Sequence, residues 1–164
     1  RGLGDVYKRQ VHERGGILGL AHPYGPGFFA FTNTRFGKKH NEFLEKFDFV
    51  ETFNACIRPW ANACADNLAG CLHKPKVAGS DAHKMRVVGA AYTEFTQKIA
   101  NNNDLIRAIK EGWVQAQGGS VLKEMEEDTN FLLQKAANAG YWVYNKLGAL
   151  WNWKKLRWIR KKIL

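Results

Sequence analysis

The sequence predicts an α/β protein with a mainly parallel sheet. Short apolar runs rich in small and β-branched residues alternate along the chain with segments whose apolar residues have helical spacing. Strands that alternate with helices usually pair in parallel, because each helix carries the chain back across the sheet. Two of the apolar runs also lead directly into polar residues, as buried parallel strands do when they deliver side chains to the carboxyl edge of a sheet.

The predicted elements follow from these patterns in chain order. The first strand, residues 16–21, leads into His22, and the turn-dense run that begins at Pro23 predicts a long loop over residues 23–37 above the site. The remaining elements are a short amphipathic helix over 41–47, a strand over 48–54, a helix over 59–73, strands over 77–80 and 87–95, a helix over 105–111 capped by Asn103 or Asp104, and a strand over 113–117.

Two of the predicted strands deliver residues that can bind a cation. His22 follows the first strand, and Asp81 and His83 follow the strand over 77–80. Side chains two residues apart on an extended segment point the same way, so Asp81 and His83 can face one small volume. A single His before Pro is more often a turn residue, and Asp-x-His alone is equally weak. The coincidence of strand and ligand at both places nevertheless predicts half of a metal site.

Five separated segments carry a resemblance to a known family. They are Gly15-Gly16-Ile17-Leu18-Gly19-Leu20-Ala21-His22-Pro23, Val50-Glu51-Thr52-Phe53-Asn54, Asn62-Ala63-Cys64-Ala65, Gly79-Ser80-Asp81-Ala82-His83 and Val88-Gly89-Ala90-Ala91-Tyr92-Thr93. In order and spacing they resemble the C-terminal half of the PHP (polymerase and histidinol phosphatase) superfamily of phosphoesterases, including its PHP-associated region. The resemblance covers residues 11–118 and implies a partial PHP domain, the C-terminal part of a distorted (β/α)7 barrel.

The resemblance also implies a site and a chemistry. The expected residues are His22, Asp81 and His83 as catalytic metal ligands, Glu51 and Asn54 as pocket-lining residues, and Arg58 and Lys84 as phosphate-binding residues. Carboxylate and imidazole ligands suit Zn, Mn or Fe and do not choose among them. In the intact protein, two or three such ions would polarise the phosphoryl oxygens and activate a water for in-line attack on phosphorus.

The same comparison predicts that part of the domain is missing. Family members begin with a strand bearing His-x-His and supply further ligands before the Ala-His-Pro segment, whereas only His12 precedes His22 here. This chain is therefore expected to be an N-terminally truncated fragment that is inactive and only marginally stable. Residues 1–10 resemble translated adapter sequence, a sequencing or assembly artefact, with an ordinary short helix as the alternative.

Residues 119–164 lie outside the resemblance and are predicted to form a helical, basic and aromatic C-terminal extension. One helix is expected over 120–139 and another over 141–164, the second with an apolar stripe of Ala149, Trp153, Leu156, Ile159 and Ile163. Much of the net charge of +10 belongs to residues 145–164, which hold basic residues and no acidic one. This tail could pack on its own domain, bind an anionic membrane surface or another protein, or, less favoured, bind nucleic acid.

Composition limits the class of protein further. A chain of 164 residues with 45% hydrophobic content can form one domain with a core. Its three cysteines are odd in number and lack C-x-x-C spacing, which indicates reduced thiols of a cytoplasmic protein rather than a disulfide framework. No apolar run approaches the roughly 18 residues of a membrane-spanning helix. The predicted location is therefore cytoplasmic, with peripheral membrane attachment through the tail as an extension of that prediction.

The predicted function is metal-dependent hydrolysis of a phosphoester, with a phosphorylated small molecule or nucleotide as substrate. An alternative from another class is a non-catalytic binding module, in which the metal site is vestigial and the basic tail binds a membrane or partner. Among enzymes, a hydrolytic deaminase or amidohydrolase is a further alternative, because its barrel strands also end in His and Asp. Metal content separates the enzyme from the binding module.

Overall fold

The computed structural model describes residues 9–26, 30–122, 139–140, 143–144 and 147. The chain divides into two units, Arg1–Lys123 and Glu124–Leu164. The strands of the first unit are β1 (Gly19–Leu20), β2 (Phe49–Asn54), β3 (Lys76–Gly79), β4 (Ala91–Phe95) and β5 (Val114–Gly118). Between β1 and β5 its helices are α1 (Arg35–Lys39), α2 (Pro59–Cys71) and α3 (Asn102–Lys110), with short 3-10 helices at Phe31–Asn33, Asn41–Lys46 and Met85–Val87.

The five strands form two small sheets. β1, β2 and β3 make a parallel sheet in that order, with Leu20 opposite Val50 and Asn54 opposite Gly79. β4 and β5 pair in antiparallel fashion. The mixed α/β class is therefore confirmed, and its three-stranded sheet is parallel. The distorted barrel stays a prediction.

The packing of α2 on β2 follows from their residue patterns. Val50, Thr52 and Asn54 alternate along β2 and are buried, whereas the residues between them are only half-buried. α2 can approach this strand closely because its buried face carries small residues four positions apart. These residues are Ala61, Ala65 and Ala69. Val50 and Ala69 belong to a hydrophobic core cluster with Leu20, Leu44 and Phe47.

α2 ends with a turn that gives His73 a structural role. The helix ends at Cys71, two residues before the predicted end, and His73 has a φ of 51°. The N–H of His73 donates to the Gly70 carbonyl at 3.2 Å, and the next N–H donates to the Ala69 carbonyl at 2.9 Å. This pattern is a Schellman motif, which satisfies the last carbonyls of a helix.

The start of α3 differs from the prediction. Its N-cap is Asn101, whose side chain accepts hydrogen bonds from the N–H groups of Asn103 and Asp104. Asn103 and Asp104 are thus inside the helix, and the prediction that one of them caps it was wrong. Gly112, with a φ of 71°, ends the helix as expected.

Other segments also differ from the predicted elements. The first strand covers only Gly19–Leu20 of the predicted 16–21, and the helix predicted over 41–47 is a 3-10 helix over Asn41–Lys46. The loop predicted over residues 23–37 contains a 3-10 turn and the start of α1, which Thr34 caps by accepting a hydrogen bond from the Gly37 N–H. The strand predicted over residues 87–95 begins only at Ala91. A 3-10 turn and Gly89, with a φ of 80°, break the extended conformation before it.

The segment before β1 is tied to β2 through Asp48. Residues 9–13 are helical. His12 Nε2 lies 2.8 Å from Asp48 Oδ2, and the same oxygen accepts the Leu18 N–H at 2.7 Å. These two contacts hold the incoming chain beside the start of β2.

In the second unit, residues 139, 140, 143, 144 and 147 are helical. Of the helix predicted over 120–139, the structure also describes residues 120 and 121, which are not helical, and residue 122, which is. The rest of the helices predicted over 120–139 and 141–164, including the stripe from Ala149 to Ile163, lies outside the described residues. Within the part of the chain that the structure describes, no helix is long and apolar enough to cross a bilayer.

Candidate metal centre

The carboxyl ends of β1, β2 and β3 share one edge of the sheet because the three strands are parallel. His22 lies two residues after β1, Asn54 is the last residue of β2, and Asp81 lies two residues after β3. The backbone N–H of His22 donates to Glu51 Oε2 at 2.6 Å. The Asn54 amide lies between the carboxylates of Glu51 and Asp81. The structure thus joins residues from three of the segments in which the sequence predicts site residues.

Asn54 uses both ends of its amide in this arrangement. Nδ2 donates to Glu51 Oε2 at 3.3 Å and to Asp81 Oδ2 at 3.2 Å. Oδ1 accepts the backbone N–H of Cys56 at 3.0 Å, which determines which end of the amide faces the carboxylates. Asn54 is only 1% exposed. Its two N–H groups reduce the repulsion between two neighbouring negative charges.

Glu51 occupies space that a glycine leaves open. A Cβ on Gly79 of β3 would lie 2.8 Å from Glu51 Oε1, so a larger residue there would push the carboxylate away. Glu51 accepts hydrogen bonds from His22 and Asn54. Glu51 is thus held by structural hydrogen bonds, and its pocket-lining role stays a prediction.

His22 combines an unusual backbone conformation with a buried ring nitrogen. Its φ of 28° is positive, which is uncommon for a residue other than glycine. Nδ1 is buried and has no hydrogen-bond partner among the described residues. Gly25 lies so near that a Cβ on it would be 3.2 Å from Nδ1. A buried polar atom without a protein partner needs an explanation, and a metal ion would provide one.

Asp81 and His83 lie beyond β3 and not on an extended segment. Asp81 has a φ of 49°, so the alternation predicted for this pair does not apply. His83 Nδ1 instead lies 2.8 Å from the backbone oxygen of Asp81. Because a carbonyl only accepts, this contact places the proton on Nδ1 and the lone pair on Nε2. Metal-binding histidines are commonly held in this way through the second ring nitrogen.

Arg58 and Lys84 follow β2 and β3, respectively. Arg58 immediately precedes α2, and Lys84 immediately precedes the 3-10 helix Met85–Val87. Both residues are exposed. Their assignment as phosphate-binding residues stays a prediction.

Two residues that sequence reasoning missed also belong to the site. Asn62 on α2 accepts the Asn54 N–H at 3.1 Å through Oδ1 and donates to the Asn54 carbonyl at 3.0 Å through Nδ2. The Cys56 thiol donates to the Ser80 carbonyl at 3.1 Å. Asn62 could have been identified from the sequence, because it begins one of the five segments that carry the family resemblance.

The donor set fits a metal in its chemistry. His22 Nδ1 and His83 Nε2 can each offer a lone pair, and Asp81 offers a carboxylate, a combination that suits divalent transition ions. Among the described residues, no group of three or more His, Cys, Asp or Glu side chains is close enough together to hold a metal ion. The convergence of His22, Asp81 and His83 on one metal cluster stays a prediction.

The fold and the site define an α/β protein with polar side chains gathered at the carboxyl edge of a parallel sheet. Residues 59–114 match the family model described as PHP-associated. This match confirms, over those residues, the predicted resemblance to the C-terminal region of the PHP superfamily. It includes Asn62, Asp81, His83 and Lys84, whereas His22 and the residues of β2 precede it. No curated protein and no solved structure matches the chain.

Burial raises the pKa of Glu51 above its usual value. The charge on Asp81 adds to this effect, while the hydrogen bonds from the His22 N–H and the Asn54 amide and the charge on His22 oppose it. A raised pKa means that the folded protein favours the neutral carboxyl group. The associated stability is complete below the pKa of the unfolded chain and is lost as the pH rises through the raised folded value.

We therefore expect Glu51→Gln to stabilise the metal-free protein more at neutral pH than at acidic pH. A Gln oxygen in the place of Oε2 can still accept from His22 and Asn54, and the variant has no charge to desolvate. Urea denaturation in the presence of a chelator, at about pH 4 and about pH 7, measures the effect. The exposed Glu45→Gln serves as the control. A stability difference that is the same at both pH values would contradict the expectation.

Proposed function

We propose that this chain contributes to a metal-dependent phosphoesterase site of the PHP type. The observation that carries the proposal is the hydrogen-bonded set formed by Glu51, Asn54, Asp81 and the His22 backbone at one edge of the parallel sheet. The buried Nδ1 of His22, which has no partner among the described residues, supports the proposal. The match of residues 59–114 to the PHP-associated family supports it independently.

His22, Asp81 and His83 would hold the ions in this proposal. His22 would bind through Nδ1, which is the buried nitrogen, and His83 through Nε2, because its Nδ1 is engaged with the Asp81 carbonyl. When bound, Zn, Mn or Fe ions would supply Lewis acidity toward the phosphoryl oxygens and a water of lowered pKa.

The other residues of the site would orient the metal ligands and bind the substrate. Glu51 holds the backbone of His22, and Asn54 holds the carboxylates of Glu51 and Asp81 at a fixed separation. Arg58 and Lys84 are proposed to bind the phosphate oxygens of the substrate, Arg58 through its planar fork and Lys84 as a point charge. Together these groups would fix a phosphoester against the ions.

Metal binding by the chain tests the proposal. We expect the chain to retain zinc or manganese after dialysis, and we expect His83→Ala to weaken metal affinity by about 100-fold, since the loss of a ligand should exceed the loss of an outer-shell partner. Metal content by mass spectrometry and chelator competition measure both quantities. His73→Asn is the matched control, because His73 has a structural role at the end of α2 and Asn tolerates its positive φ.

Catalysis is tested with a generic phosphodiester. Hydrolysis of bis(p-nitrophenyl) phosphate should be measured with added manganese or zinc, on the chain and on any longer product of its gene. Metal-dependent turnover that His83→Ala removes and His73→Asn retains would support the phosphoesterase. Metal binding without turnover in either protein would favour a binding module, and neither binding nor turnover would contradict the proposal.

A further inference from the structure

The side chain of Asn62 joins α2 to the last residue of β2. It accepts the Asn54 N–H at 3.1 Å and donates to the Asn54 carbonyl at 3.0 Å. Both residues are buried, Asn54 at 1% exposure and Asn62 at 9%. A side chain that pairs with both backbone groups of one residue acts as a neighbouring strand would. β1 pairs with β2 only at Phe49 and Val50, and Asn62 satisfies backbone groups further along β2.

Fixing the backbone of Asn54 also fixes the direction of its side chain. The Asn54 amide donates to Glu51 and to Asp81, and Glu51 accepts the backbone N–H of His22. One continuous set of hydrogen bonds therefore runs from α2, through the end of β2, to residues that follow β1 and β3. Asn62 stands at the start of this set.

We propose that Asn62 is a positioning residue of the site, which holds Asn54 and through it sets the positions of Asp81 and of the backbone at His22. The inference rests on the proposed metal-dependent function. Residues hydrogen-bonded to metal ligands typically change metal affinity by about 10 to 100-fold. Asn62 acts through an intervening residue, so the lower end of that range is expected.

Asn62→Asp is the most informative variant, because its added charge and its loss of positioning would change metal affinity in opposite directions. The new carboxylate can still accept the Asn54 N–H, but its second oxygen repels the Asn54 carbonyl instead of donating to it. An added negative charge near a cation would by itself raise metal affinity. A loss of positioning would lower it. Reduced affinity in this variant therefore cannot come from the charge.

The zinc affinity of the full chain, measured by competition with a chelating dye, should fall about tenfold in Asn62→Asp. Asn67→Asp is the matched control, because Asn67 is exposed on the same helix and the variant adds the same charge. Its affinity should be unchanged or slightly higher. Equal or tighter zinc binding by Asn62→Asp would overturn the inference and leave the proposed function in place.

Hydrogen exchange of the metal-free protein tests the positioning role of Asn62 separately from the proposed metal-dependent function. The backbone amides of Asn54 and Cys56 should exchange faster in Asn62→Asp than in Asn67→Asp, because repulsion at the Asn54 carbonyl loosens the end of β2, where both amides make their hydrogen bonds. If no form of the chain binds zinc, the proposed function fails, and equal exchange rates in the two variants would then overturn the positioning role as well. Urea unfolding checks that both variants are folded.

Discussion

Replacement of Asn54 by Asp is expected to lower the free energy of unfolding by about 3 to 5 kcal/mol at neutral pH, the range for an uncompensated buried charge. Asn54 Nδ2 donates to both Glu51 and Asp81, and a carboxylate in its place can donate to neither. Three carboxylates would then face one another, and the new one would stand at a position that is almost fully buried, beside the half-buried Glu51 and the exposed Asp81. The pocket would lose the donor that holds two acidic side chains together.

Urea denaturation at about pH 5 and about pH 7 tests this result. The deficit should be smaller at the lower pH, because partial protonation of Glu51, whose pKa is raised by burial, and of the new buried carboxyl group removes part of the repulsion and the desolvation cost. The exposed Asn67→Asp should change stability by no more than about 0.5 kcal/mol. A deficit below about 1 kcal/mol that does not depend on pH would contradict the bridging role of Asn54.

Gly118→Ala is expected to destabilise the protein by about 3 kcal/mol or more, because strain and steric overlap add. Gly118 has a φ of 133°, and a Cβ there would lie 2.4 Å from both Ala90 O and Ala91 Cα. These are backbone atoms of the segment that pairs with Gly118 in the β4–β5 sheet. They cannot move away without separating the two strands.

Gly119→Ala is the matched control for this substitution. A Cβ at Gly119 would meet no atom within 4 Å, and its φ is not positive. Its stability should be unchanged or rise by up to about 1 kcal/mol through a less flexible unfolded chain. Thermal unfolding of both variants measures the contrast. Similar midpoints for the two variants would contradict the close approach of the strands at Gly118.

Loss of the β4–β5 sheet should also disturb the structure of the candidate metal centre. The Thr93 hydroxyl of β4 accepts the Ala78 N–H at 3.0 Å and donates to the Ala78 carbonyl at 2.9 Å. Ala78 belongs to β3, which leads to Asp81. The second sheet therefore supports the strand that delivers one of the candidate ligands.

The sequence by itself determined the elements whose signal is local. The apolar spacing after Pro59 predicts a helix that the structure has as α2. The runs before His22 and Asp81 predict strands that the structure has as β1 and β3, each paired in parallel with β2. The alternation of strands and helices was sufficient to predict the α/β class, because the periodic pattern of buried residues can be read from positions that are close together in the sequence. The gathering of polar residues at one edge follows from that same parallel order.

Only the tertiary structure decided which atoms meet at that edge. A glycine in the sequence often marks a positive φ, but His22 and Asp81 carry no such mark. The turns that orient these two residues could therefore not be predicted. The pairing of Asn62 with Asn54, and of Asn54 with Asp81, joins residues whose approach depends on how α2 and β3 pack beside β2. Such hydrogen bonds depend on distances of a few tenths of an ångström between separate elements, which residue spacing along the chain does not specify.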